Sequence, residues 1–280
     1  MKLAISSFAW PRERTGDVAR LLADMKVVSG VELVLPMSFE DPSRASVADA
    51  AAVKHFWKDH DLAVLSVQSL AFGRDELQLL GSTHSRAAFL DHLEQMAVLA
   101  SALGAPRMVF GSPANRKRGA MSMSDALALA VPFFRTLAAR IAPLGITCTI
   151  EPNPPIYAGC DFVTRTEEAV ALVRAVEHPA IAVQLDTGAM LFANNEGPIG
   201  EAALDDALRL AGHLHVSLPG LASIDIQQDA LAQCTRSLAS APVQVASIEM
   251  RAPADGSDPL LAIRRAVEAV VGWLPIQARA

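Results

Sequence analysis

Ile146-Thr147-Cys148-Thr149-Ile150-Glu151, a helical segment over 164–177, then Ile181-Ala182-Val183-Gln184-Leu185-Asp186: residues 146–186 hold one complete strand–helix–strand unit, and both strands end in a carboxylate. The two runs are short, rich in β-branched residues and nearly continuous in apolar character, as strands buried on both faces are. Between them Thr164 stands three residues before Glu167, at the head of an Ala/Val/Leu-rich stretch of helical period, which is the spacing of a capping box.

The same alternation extends to both ends of the chain. Strands are predicted at 3–7, 31–35, 63–68, 107–111, 146–151, 181–186, 212–216 and 244–249. Helices are predicted at 15–28, 46–59, 82–103, 122–144, 164–177, 200–210, 225–238 and 257–273. Ser122 and Ser257 precede two of them as N-cap residues, and Gly104 and Gly145 follow two others where a left-handed C-terminal cap favours glycine. Eight units in 280 residues average about 35 residues each, the arithmetic of a (β/α)8 barrel. An open doubly wound sheet would carry a glycine-rich phosphate turn after its first strand, and Ser7-Phe8-Ala9-Trp10-Pro11 is not one. No linker, low-complexity tract or repeat divides the chain. The fold class expected is α/β, a single (β/α)8 TIM barrel domain over residues 1–280.

Composition narrows the function classes. With 51% hydrophobic residues the chain can fill a core, so disorder is excluded. A formal charge of −6 argues against duplex nucleic acid as partner, and no run reaches the roughly 18 uninterrupted apolar residues of a membrane span. Cys148, Cys160 and Cys234 are too few and too scattered for a disulfide framework or a thiolate metal site. The N-terminus turns polar too early for a signal-peptide core, so a cytoplasmic location is expected. The apolar content leaves surface for a homodimer, although no segment marks an interface.

Barrels of this kind build their sites at the C-terminal ends of the strands. Four consecutive strand ends here carry Glu151, Asp186, His215 and Glu249, spaced by 35, 29 and 34 residues, one unit each. Any one such acid could simply cap the following helix. Four converging on one barrel mouth would repel one another without a cation among them. Three carboxylates and an imidazole suit one divalent ion: manganese first, with magnesium, cobalt or zinc also fitting. Of His213 and His215, which alternate across Leu214, only one is expected to point into the mouth. His215, nearer the strand end, is the expected ligand; His213 stands behind it or packs in the core.

These residues, with Ile5-Ser6-Ser7-Phe8-Ala9-Trp10, Gly30-Val31-Glu32-Leu33, Gln68-Ser69-Leu70-Ala71-Phe72-Gly73, Val109-Phe110-Gly111-Ser112-Pro113, Ile150-Glu151-Pro152-Asn153 and Leu185-Asp186-Thr187-Gly188, give the whole chain a resemblance. It resembles the sugar isomerase/epimerase superfamily of xylose-isomerase-like barrels. The resemblance implies that Glu151, Asp186, His215 and Glu249 bind one metal, typically manganese, and that Glu151 and Glu249 also shuttle the proton. Two departures stand out. The ketose epimerases usually carry a substrate-contacting histidine three residues after the aspartate, where this chain has Ala189, and an arginine soon after the strand-seven histidine, where Ser217-Leu218-Pro219-Gly220 has none. A free ketohexose is therefore a poor match. The AP endonuclease branch resembles a three-metal site needing about five strand-end histidines, and of seven here only His213 and His215 stand at a strand end.

A metal with open positions can chelate an α-hydroxy-carbonyl, acidify the adjacent proton and stabilise the enediolate, with Glu151 and Glu249 as base and acid. The expected activity is a divalent-metal-dependent isomerase or epimerase of a sugar or sugar phosphate in carbohydrate metabolism. The alternatives are a metal-dependent dehydratase (a lyase) of a polyol or keto acid, and an inactive metal-binding barrel. Candidate substrate contacts are Glu32, Gln68, Asn153 and His213. Glu32 equally reads as a structural acid, and Asn153 as a loop cap. In the loop after strand four, Arg116 is the cation expected to point inward at a substrate anion, with Lys117 and Arg118 facing water. Trp10 and the Phe72-Gly73 pair are candidates for an apolar wall, Trp10 equally for packing.

Overall fold

Parallel strands β1 (Lys2–Ser6), β2 (Val28–Val34), β3 (Ala63–Gln68), β4 (Arg107–Phe110), β5 (Thr147–Ile150), β6 (Ile181–Asp186), β7 (Ala211–Ser217) and β8 (Val245–Glu249) follow one another around a closed barrel in chain order. This is the (β/α)8 TIM barrel. The computed structural model describes residues 1–193 and 199–279. Closure is made by β1 on β8, where Lys2 pairs Val245 and Ile5 pairs Ile248. At the β3–β4 seam a single register pair, Val67 with Met108, joins the two strands.

The helices are α1 (Thr15–Asp24), α2 (Leu35–Ser38), α3 (Val47–Lys58), α4 (Thr83–Leu103), α5 (Met123–Ile141), α6 (Thr166–Val176), α7 (Thr187–Ala193), α8 (Glu201–Leu210), α9 (Asp229–Ser237) and α10 (Pro259–Val271). The expected β3 and β6 bounds hold to the residue, and most other elements are shorter than expected by a few residues at an end. Two of the three expected serine and threonine caps are different. Ser122 accepts from the Asp125 amide as anticipated. The helix after β5 instead starts behind Arg165, with Glu168 rather than Glu167 accepting from the Thr164 amide. The last helix is capped by Asp258, not Ser257, because Pro259 occupies its first position and the aspartate reaches the Leu260 amide. Gly104 and Gly145 both take the left-handed conformation, at φ 81° and 71°.

Helix α5 and the 3₁₀ turn after it, Met123–Leu144, are long and apolar enough to cross a membrane by composition alone. Their apolar face (Ala130, Phe133, Phe134, Leu137) is buried on the barrel, and Arg140 on the other face pairs with Asp91 and Glu94 of α4.

Strand alternation divides the core in two. Leu3, Ile5, Val31, Leu33, Ile150, Val183, Leu185, Leu214, Val216, Ala246 and Ile248 belong to the large apolar layer shared with the helices. The residues between them in sequence face the barrel axis, where a small plug of Ala4, Leu65 and Val245 is followed toward the C-terminal end by a buried polar set: Ser6, Glu32, Ser66, Thr149, Gln184, His213 and Ser247. Most of these buried polar groups find partners within the set, although Gln184 Nε2 and His213 Nδ1 have none. Ser66 donates to Glu32 Oε2 at 2.7 Å, and Thr149 donates to Gln184 Oε1 at 2.8 Å. Above this layer, still on the axis, the strands end in the carboxylates.

Candidate active site

Glu151 lies one residue beyond β5, Asp186 ends β6, His215 lies within β7 and Glu249 ends β8. Parallel register brings them level: Asp186 pairs His215, and Ser217 pairs Glu249. One donor atom from each of Glu151, Asp186, His215 and Glu249 lies within 4.8 Å of all the others, and all four residues are buried. His215 Nδ1 is the centre of the group, 2.8 Å from Glu151 Oε1, 3.3 Å from Glu249 Oε2 and 4.0 Å from Asp186 Oδ2. Ligands of a divalent ion stand about 2.0–2.6 Å from it, hence within roughly 4–5 Å of one another. The spread of this donor set is therefore compatible with one shared cation, which would displace the proton between His215 Nδ1 and Glu151.

The electrostatics show how poorly three carboxylates tolerate this space alone. Burial, with the charges of Glu151 and Glu249, raises Asp186 to about 7. Burial likewise raises Glu249 against the favourable His215 contact. In Glu151 burial is outweighed by the His215 and Asn153 hydrogen bonds and the Arg116 charge, so its carboxyl lies below the usual range. His215 is driven up against its burial by Glu32 and Glu249, well above an ordinary imidazole. Without a metal, a protonated histidine is the compensating cation.

Two small residues make room. A Cβ on Gly111 would sit 2.5 Å from Glu151 Oε2, and one on Gly188 would sit 2.5 Å from Ser217 Oγ. Asp186 does two jobs. Its Oδ1 accepts from the Ala189 amide at 3.0 Å and from Ser217 Oγ at 2.7 Å, which caps the short helix α7, while Oδ2 faces the cluster. The capping reading of this acid is thus realised by Oδ1, while Oδ2 stays free to face the cluster. Asn153 donates to Glu151 Oε2 at 2.9 Å and so orients that carboxylate.

His213 and His215 do not point opposite ways as expected. Two residues apart on one strand, both face the axis, His213 one layer deeper. Glu32 lies between them. Its Oε2 is 3.1 Å from His213 Nε2, and its Oε1 is 2.9 Å from His215 Nε2, an ion pair that lacks hydrogen-bond alignment. Burial opposes the charge on Glu32, and the two histidines more than offset it, holding the carboxyl well below its ordinary range. Burial lowers His213 against the pull of Glu32, which favours its neutral form. Glu32 and His213 are fully buried and do not line the cavity above. Glu32 thus meets the back of His215, leaving Nδ1 for the cluster.

That cavity, about 610 Å³, opens over the carboxylates and is also lined by Gln68, Asn153 and Tyr157. Gln68 donates to Ser6 Oγ and Glu32 Oε1, which fixes its amide. Two expected contacts lie elsewhere. Trp10 is buried edge-on against Trp57 beside a separate pocket, because its Nε1 is drawn to Thr15 Oγ1 at 3.3 Å. Arg116 is 1% exposed and turns beneath the loop, donating to the Glu151 and Val163 carbonyls at 2.7 and 3.3 Å. It supports the backbone of Glu151 instead of meeting a substrate anion. Lys117 is exposed as expected, but Arg118 is partly buried, held by Asp161 and the Met121 carbonyl. Phe72, by contrast, lines the cavity. Tyr157, Phe8 and Arg251 line it too and had no place among the sequence candidates; the one tyrosine of the chain, six residues past a strand-end acid, was the available signal.

Comparison with known proteins agrees with this architecture. The family model described as xylose isomerase-like TIM barrel matches residues 20–220. Curated protein sequences yield no match. Among solved structures the chain is similar to D-psicose 3-epimerase from Clostridium cellulolyticum H10, solved with D-tagatose, at 15% identity and TM-score 0.74, covering 98% of this chain and 99% of that one. It is similar to a putative xylose isomerase from Rhodospirillum rubrum at 18% identity and TM-score 0.74, covering 98% and 100%. A third, 3-keto-D-glucoside 4-epimerase from E. coli, has 18% identity and TM-score 0.70, covering 97% and 99%. At these identities the likeness carries the fold.

Proposed function

The chain belongs to the xylose isomerase-like TIM barrel family, and on that premise we propose that it is a divalent-metal-dependent isomerase or epimerase of a sugar-like α-hydroxy-carbonyl compound. The observation that carries this reading is the convergence of Glu151, Asp186, His215 and Glu249 within 4.8 Å at the floor of a cavity large enough for a sugar. The three epimerase and isomerase structures named above support the same class. A hard oxygen-rich site suits manganese or magnesium before zinc.

When bound, the ion would polarise the substrate carbonyl and acidify the neighbouring C–H. The protein's own groups then move the proton. Glu151 and Glu249 each bring an oxygen close to His215 Nδ1, at 2.8 and 3.3 Å, and they differ in proton affinity: Glu249 is raised while Glu151 is lowered. Two carboxylates of unequal proton affinity are suited to complementary acid and base roles. A proton taken by one and returned by the other to the same carbon inverts it; return to the adjacent carbon shifts the carbonyl. Asn153 keeps Glu151 in place during either transfer, and Asp186, tied into α7, holds a fixed position.

Elemental analysis of protein purified without chelator tests this, beside Glu151→Gln and Asp186→Asn. The expected result is about one equivalent of manganese or a similar ion, lost in both variants, with solvent deuterium entering a ketose only in the wild type. Two or three zinc equivalents, or no metal after reconstitution, would overturn the reading.

A further inference from the structure

The cavity is larger and less polar than a free monosaccharide needs. A hexose fills on the order of 200 Å³ at protein-like packing, well under half of the 610 Å³ here. Most polar groups that could receive hydroxyls, Gln68, Asn153 and the carboxylates, gather at the floor around the strand ends, with the Ser69, Ser112 and Tyr157 hydroxyls in the loops beside it. The upper wall is built from Phe8, Phe72, Pro113, Ile156 and Leu221, contributed by loops after five strands. Its two outermost members are unusually exposed. Phe72 has 78% of its surface in solvent, more than any other large apolar side chain among the described residues, and Ile156 has 50%. Hydroxyls lodged against that wall would lose water without gaining partners, whereas an apolar group there would be removed from water together with both side chains.

We infer that the substrate is a hydroxy-carbonyl sugar whose end remote from the reacting carbons carries an apolar substituent, such as an aryl or alkyl ether, ester or glycoside, seated against Phe72 and Ile156. This rests on the function proposed above, since the sugar end is placed by the carboxylate cluster. The remote end needs no charge for recognition: among the lining residues the charged groups outside the floor are Asp75 and Arg251, one of each sign.

The probes are D-fructose and 6-O-benzyl-D-fructose, which share the reacting end and differ at the remote end. With metal-loaded protein, calorimetric Kd and the kcat and KM of deuterium incorporation are measured for both. The benzyl compound should bind about 10–100-fold more tightly, with the gain in KM, and Phe72→Ala should cut that ratio about tenfold. Phe72 is exposed, so this variant should fold, and circular dichroism checks that it does. Equal Kd values with exchange on both sugars would overturn the inference and leave the isomerase reading standing. Preferential benzyl binding with exchange on neither would uphold the inference and sink that reading for ketoses. Gel filtration distinguishes the competing occupant: no benzyl preference, with a dimer that Phe72→Ala dissociates, would assign the wall to a second copy of the chain and overturn the inference.

Discussion

Glu32 reads from the sequence equally as a hydroxyl-binding acid or a structural one, and the structure makes it a partner of two histidines, sealed from the cavity. The distinction has a measurable consequence. If Glu32 acts by directing His215 Nδ1 at the metal, Glu32→Gln, which keeps the volume and removes the charge, should weaken metal binding about 10–100-fold while leaving the KM of the metal-saturated enzyme within about threefold. A direct substrate contact would instead raise KM at full metal loading. Titration of manganese by electron paramagnetic resonance, followed by kinetics at saturation, separates the two. A second residue-scale test concerns space. Gly111→Ala places a Cβ 2.5 Å from Glu151 Oε2, so the carboxylate must move, and metal affinity should fall by about tenfold or more although the fold survives.

Asp186 sets the pH behaviour of the metal-free protein. Burial first, then Glu151 and Glu249, holds it near 7 against an ordinary 3.8, so the folded state keeps a proton that the unfolded chain releases. Its contribution to stability is complete below about pH 4 and is lost as pH rises through about 7. His215, raised well above 6.5, acts in the same direction at higher pH. Glu151, lowered, acts oppositely but only below its ordinary 4.5, and His213 and His92, lowered by burial, act oppositely below their ordinary 6.5, offsetting part of the fall. The melting temperature of chelator-treated protein should therefore fall by several degrees between pH 5 and 8, and added metal should restore most at pH 8, where it displaces the fewest protons. A metal-free melting temperature that climbs over this range contradicts the account.

Among the elements, the strand ends are legible and the loops are not, for a physical reason. A strand alternates with period two, so the apolar flanks of Glu151, Asp186 and Glu249 fix the direction each acid faces, and parallel order brings the ends together. The same rule puts His213 and His215, two residues apart, on one face of β7, with His213 one layer deeper. Loop residues obey no period. Arg116 sits in a cationic run that reads as a solvated or anion-binding loop, yet its guanidinium turns inward to the backbone carbonyls of Glu151 and Val163, the second of which also accepts from the Asn153 amide. Trp10 follows β1 closely enough to look like a cavity wall, but the intervening 3₁₀ turn carries it to the outer layer beside Trp57. Helix α7 is equally invisible beforehand, since seven residues are too few to show a helical period. Its anchor gives the test proper to this scale. Ser217→Ala removes the hydroxyl that donates to Asp186 and accepts from the Gly188 amide, and should cost about 1–3 kcal/mol of stability by chemical denaturation.

At the scale of the whole molecule, the two ends of the described chain meet at the base of the barrel. The Gln277 amide donates to the Met1 carbonyl at 3.0 Å, the Met1 ammonium reaches the Pro275 carbonyl at 3.2 Å, and Arg279 donates to the carbonyls of Leu22, Ala23 and Asp61. The tail thus fastens α1 to the turn before β3. Arg279→Ala should lower stability by about 1–3 kcal/mol with no change in metal stoichiometry, which calorimetry and elemental analysis would report together.

The seam between β3 and β4 deserves to be seen alongside that meeting of the ends. A ring has no intrinsic beginning, and this one is held by four register pairs where the chain starts and finishes but by one where Val67 meets Met108. The ring is therefore unevenly stitched: β1 and β8 are locked along most of their length, whereas β3 and β4 share one backbone rung inside continuous chain, so local opening of the barrel should begin there.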